Sequence, residues 1–89
     1  MATIHKIGRR KTAVARVYLS EGKGEMVVNQ RPAAEYFTTE LLLSKLDQPF
    51  ELTNTKGTFD VKISVVGGGI TGQAEAIRLG ISRALYEVN

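Results

Sequence analysis

The 89-residue chain has no cysteine and no tryptophan, one histidine and two prolines. Without cysteine, neither a disulfide framework nor a thiolate metal site can form, which fits a reducing compartment and makes the cytoplasm the expected location. No run approaches the about 18 apolar residues of a membrane span. The opening MATIHKIGRRK carries bases with no apolar stretch behind them, so a soluble chain without a secretory leader is expected. With His5 alone, acid–base catalysis is thinly equipped. Ser64, His5 and Asp60 make a nucleophilic triad only on paper, and no His, Asp or Glu cluster has metal-ligand spacing. The expectation is a protein that is not an enzyme and takes no cofactor or metal.

An apolar fraction of 43% at this length predicts one small domain, residues 1–89, with a modest core. The charge is unevenly placed. Residues 1–31 hold seven bases (Lys6, Arg9, Arg10, Lys11, Arg16, Lys23 and Arg31) against Glu21 and Glu25. Residues 32–60 reverse the sign, with Lys45 and Lys56 against Glu35, Glu40, Asp47, Glu51 and Asp60. Such asymmetry predicts one face for a polyanion and another for solvent or partners.

Alternation from Thr12 to Leu19 predicts a half-buried strand, preceded by a shorter one over Thr3–Ile7. The glycines of Ser20–Gly24 predict a turn, with Glu25–Val28 as the returning strand of a hairpin. Pro32 suits a first helical position, so short helices are expected over Ala33–Phe37 and Thr39–Leu46, the second stopped by Gln48-Pro49. Phe59, Val61, Ile63 and Val65 mark the clearest strand. After Gly72, Ala74, Ile77, Ile81, Ala84, Leu85 and Val88 form the apolar stripe of a helix on a sheet. The sum is an α+β domain of two layers.

Two segments carry chemistry. His5-Lys6-Ile7-Gly8-Arg9-Arg10-Lys11-Thr12 gathers five potential cations and no acid, a pattern suited to phosphate oxygens, and Arg16 extends it along the next strand. The plain alternative is a solvated basic loop. Gly67-Gly68-Gly69-Ile70-Thr71-Gly72-Gln73 leads from a buried strand into a helix, where free amides and close backbone approach favour an anion. It is neither a dinucleotide fingerprint nor a phosphate loop, and its glycines also suit a tight packed turn. Gly80 within the helix calls for compensation by tight packing on the sheet or on RNA. Arg78 and Arg83 lie about 140° apart, so only one can face a given ligand. Tyr18, Tyr36 and Phe37 are candidates for base stacking or core.

Gly8 to Val17 (GRRKTAVARV) resembles the opening of the small-ribosomal-subunit protein S9 family, and Gly67 to Leu85 (GGGITGQAEAIRLGISRAL) is similar to that family's signature. Asn29 to Phe37 fits its hairpin end and Tyr-Phe helix, so the resemblance spans essentially the whole chain. It implies a small, mostly antiparallel sheet backed by helices, with a left-handed β-α-β crossover of the ribosomal protein S5 domain 2 type. It further implies a non-catalytic place in the head of the small subunit among neighbouring ribosomal proteins. By that resemblance, Arg9, Arg10, Lys11, Thr12, Arg16, the turn from Gly67 through Gln73, and Arg83 touch ribosomal RNA. Family members continue into a basic tail that reaches transfer RNA in the peptidyl site. This sequence stops at Asn89 and is expected to be a truncated, split or engineered form without that contact.

Two other readings compete. One is a nucleotide-binding or phosphotransfer fragment using the glycine-rich turn, which lacks the lysine and acids that such chemistry needs. The other is a domain that self-associates through an exposed sheet edge.

Overall fold

Alternation decides the sheet. In the computed structural model, which describes residues 2–88, strands β1 (Ile4–Arg10) and β2 (Ala13–Glu21) form a hairpin in register Ile4↔Leu19 through Arg10↔Ala13. Ala13, Ala15, Val17 and Leu19 of β2 are fully buried, and Arg16 and Tyr18 point to the other, uncovered face. β3 (Met26–Val28) and the two-residue β4 (Arg31–Pro32) follow, joined by a tight turn in which Asn29 and Gln30 both have positive φ. Two positive φ values in a two-residue connection suit the twist of a hairpin.

Helix α1 (Ala33–Tyr36) is one turn long, and α2 runs Glu40–Leu52. Thr39 caps α2 by accepting the Leu42 N–H at 3.4 Å. β5 (Phe59–Val66) buries Phe59, Val61, Ile63 and Val65, and α3 (Ile70–Val88) closes the layer. The sheet order is β1-β2-β5-β3-β4, with every pairing antiparallel except β3 with β5. The core lies between one sheet face and the helices, where Phe37, Leu46, Ile77, Ile81 and Leu85 are buried, each worth roughly 1.5–3 kcal/mol.

The α+β, two-layer expectation holds, with a mixed five-stranded sheet. Three details differ from the sequence reading. The basic segment is not a loop: β1 runs on to Arg10, leaving only Lys11 and Thr12 as the turn. Residues 26–28 do not pair with β2, because β5 comes between them and takes the partner positions from Val14 to Glu21. Pro49 does not stop α2 but sits within its last turns, buried beside Phe50, where core packing offsets the missing amide.

Gly80 explains how α3 sits so close. A side chain there would lie 2.6 Å from Val17 Cγ2, and one at Gly8 would run into the Ala76 carbonyl oxygen. The two glycines let strand and helix backbones meet, so packing on the sheet compensates for Gly80. β1, which carries most of the basic cluster, is thereby fixed against α3.

Candidate nucleic-acid interface

The two segments singled out in sequence, more than fifty positions apart, come together at one end of the sheet. Pairing Val14 with Val66 sets the β1–β2 turn beside the chain leaving β5. Gly67 has φ +80°, and a side chain there would strike the Thr12 carbonyl oxygen; Gly68 has φ +63° and lies over Ala13, which its Cβ would approach to 3.0 Å. These glycines seat the turn on the hairpin. Between them opens a cleft of about 340 Å³ lined by Arg10, Lys11, Thr12, Gly68, Gly69, Thr71, Gly72 and Glu75, with the start of α3 at its wall.

Glu75 is the acid in that wall, and its charge is already answered. Lys45 donates to it at 2.6 Å, and Arg78 contributes two bonds at 2.7 and 3.1 Å. The lysine bond first, then the arginine, lowers its pKa from 4.5 to about 2. Among the described residues no acid pairs with Arg10 or Lys11. The cleft therefore offers two cations and a helix start to an external anion.

A chain of side-chain hydrogen bonds holds the glycine turn from behind. Gln73 Nε2 donates to Gly67 O at 3.0 Å, and Tyr36 Oη donates to Gln73 Oε1 at 2.7 Å. Asn29 clamps β5 by donating to Val65 O at 3.0 Å and accepting the Val65 N–H at 2.9 Å. Gln73, one of the residues expected at the RNA, braces the turn through these two bonds. Asn29 and the Tyr36 hydroxyl escaped the sequence reading; Asn29 at the head of a two-residue turn was the available signal.

The remaining candidates spread out. Arg9 and Arg16 lie on the uncovered sheet face, opposite Val14 and between Ile7 and Ser64 respectively. Lys6 points to the helix side and pairs with Glu87 at 2.8 Å. Arg83 Nη1 donates to Ile7 O at 3.4 Å along the edge of β1, whereas Arg78 is bound to Glu75. His5 stacks flat on Tyr18, ring centres 4.3 Å apart, and Asp60 is turned away toward the β2–β3 loop. The paper triad is not assembled.

A family model described as ribosomal protein S9/S16 matches residues 8–89. The small ribosomal subunit protein uS9 of Christiangramia forsetii is 67% identical over 89 residues, all of this chain and 70% of that protein. The uS9 proteins of Flavobacterium psychrophilum and Cytophaga hutchinsonii are each 54% identical, over 99% and 100% of this chain and 69% and 70% of their own lengths. The matched span takes in both the hairpin end and the glycine turn that form the cleft, and the chain belongs to the ribosomal protein S9/S16 family.

Proposed function

We propose that this chain is a structural constituent of the small ribosomal subunit, a single domain over residues 1–89 that holds ribosomal RNA without catalysing a reaction. The observation that carries the reading is the convergence of Arg10, Lys11 and Thr12 with the glycine turn in one cleft whose acid is already neutralised. RNA phosphates supply the anion, and arginine and lysine fix the register of the backbone. The expected place is the cytoplasmic ribosome, in the head of the small subunit beside neighbouring ribosomal proteins. The first turn of α3, Ile70-Thr71-Gly72-Gln73, holds no lysine and the described residues hold no metal-binding acid cluster, so no observation favours the nucleotide alternative.

The same proposal includes a left-handed β3-to-β5 crossover. Val61 N–H donates to Glu25 O and Asn29 N–H to Ile63 O, both at 2.8 Å, while the Val61 and Ile63 side chains enter the helix layer. In an L-polypeptide viewed from that layer, with the strand running upward, such N–H and C=O groups point right. β3 then stands right of β5, and the connection passes in front from right to left, against the usual preference.

A salt titration with a transcript of the small-subunit head RNA tests the function. The expected slope of log affinity on log salt is about 0.7 to 0.9 per phosphate neutralised, reduced by about two such steps in Arg10→Ala/Lys11→Ala. A folded protein with a flat salt response would refute the reading.

A further inference from the structure

The uncovered face of the sheet is a grid. Its lateral rows run His5–Tyr18–Lys62–Val27, then Ile7–Arg16–Ser64, then Arg9–Val14–Val66. One lysine or arginine stands in each row, on β5, then β2, then β1, so Lys62, Arg16 and Arg9 form a diagonal ending at the hairpin tip, around which Arg10 and Lys11 face the cleft. All three are exposed. The acids border the Lys62 row on the side away from the hairpin tip: Glu25 at the margin, and Asp60, whose Oδ1 accepts the N–H groups of Lys23, Gly24 and Glu25.

The first row adds an aromatic element. His5 and Tyr18 stack with ring planes 6° apart, and Tyr18 remains 37% exposed. Beside it lies a groove of about 690 Å³ between Tyr18, Val27, Gln30, Lys62 and Ser64. Its walls combine a ring face, an aliphatic side chain and a cation, which suits a flat base attached to a phosphate. A helical duplex keeps its bases stacked inside and cannot place one there.

We propose that this face is a second RNA surface, taking an unpaired RNA segment that continues from the glycine-turn cleft, with phosphates on Arg9, Arg16 and Lys62 and one base against Tyr18. The inference rests on the RNA-binding reading above and extends it from an anion cleft to a single-strand track. Charge complementarity and continuity with the cleft select this occupant over a protein segment.

The test compares a labelled 12-nucleotide oligoadenylate with a 12-base-pair RNA duplex. Wild-type protein should bind the single strand more tightly. Tyr18→Ala should weaken oligoadenylate binding about tenfold while leaving the duplex unaffected, and Lys62→Gln should lower the single-strand salt slope by about 0.7. Tyr18→Phe should bind like wild type. Should Tyr18→Ala prove unfolded by circular dichroism, Tyr18→Thr and Lys62→Gln carry the test. If these variants bind both probes normally while Arg10→Gln/Lys11→Gln weakens both, the track is overturned and the cleft stands, leaving the face to a protein neighbour. An equal loss on both probes in Tyr18→Ala also overturns it. Wild-type protein that binds neither probe would overturn track and cleft together.

Discussion

The two ends of the sheet finish their turns in opposite ways. Between β2 and β3, Asp60 reaches across and accepts the N–H groups of Lys23, Gly24 and Glu25 at 2.9, 3.2 and 2.9 Å. Gly22 gives it room, since a side chain there would collide with the carboxylate. That end carries its own anion. At the other end, the turn between β5 and α3 faces Arg10 and Lys11, and its acid, Glu75, is held by Lys45 and Arg78. The attraction between carboxylate oxygens and backbone amides thus closes one end internally, and the proposed RNA phosphates would close the other from outside.

The open end is most sensitive at Gly67. Gly57 shares its left-handed backbone, φ +81° against +80°, but has open space around it, whereas Gly67 abuts Thr12 O. Gly67→Ala should therefore combine backbone strain with overpacking, at about 2–5 kcal/mol, and Gly57→Ala should show the strain alone, about 1–2 kcal/mol. Urea denaturation of both variants measures the difference. Equal effects would show that the turn is not seated on the hairpin.

Asp60→Asn probes the closed end. The Glu25 and Lys23 amides hold the Asp60 carboxyl below its ordinary pKa of 3.8. A depressed carboxylate contributes stability that is full above the ordinary value and disappears as pH falls through the depressed one. The amide resonances of Lys23 and Glu25 should accordingly shift with a midpoint below 3.8 in the wild type and stay flat in Asp60→Asn. RNA affinity should hardly change, because this end has no part in the cleft.

What the sequence reveals of this contrast follows from which signals are local. β2, β5 and α3 were legible because each writes its burial in its own period: Ala13 to Leu19, Phe59 to Val65, and the stripe from Ala74 to Leu85. Pairing is not local. The insertion of β5 between β2 and β3 depends on strands more than thirty residues apart, so the hairpin expected at Glu25–Val28 could not be distinguished from the parallel pairing observed. Charge density located Arg10 and Lys11, and glycine density located the turn they meet. Density did not separate Arg9 from Arg10, which point to opposite faces once β1 continues as a strand. Asp60 read as one acid among five in its segment, because its three amide partners lie 35 to 37 positions away.

Tyr36→Phe sharpens the open end without touching its charges. Losing the 2.7 Å bond from Tyr36 Oη to Gln73 should cost about 1 kcal/mol by thermal denaturation. RNA affinity should fall with an unchanged salt slope, because the variant loosens a turn without removing a phosphate contact. A reduced slope would mean that the network holds a cation in place as well.

The smallest expected effect on stability comes from making the open end imitate the closed one. α3 has no acid in its first turn, and Thr71 stands there at the cleft with Arg10 and Lys11. Thr71→Asp would supply an internal carboxylate where the external phosphate is proposed to lie. Near a helix start and two cations its pKa would be lowered, giving about 0.3–1 kcal/mol of stability that is present above the ordinary carboxylate range and lost as pH falls through the lowered value. The same carboxylate would repel RNA and occupy the two cations, so affinity should drop and the salt slope should fall by up to two phosphate equivalents. Stability rising while RNA binding falls would establish that the two ends differ only in where their anion comes from. If Thr71→Asp binds RNA as tightly as the wild type, the anion does not sit at the start of α3, and the interface must rest on the hairpin cations alone.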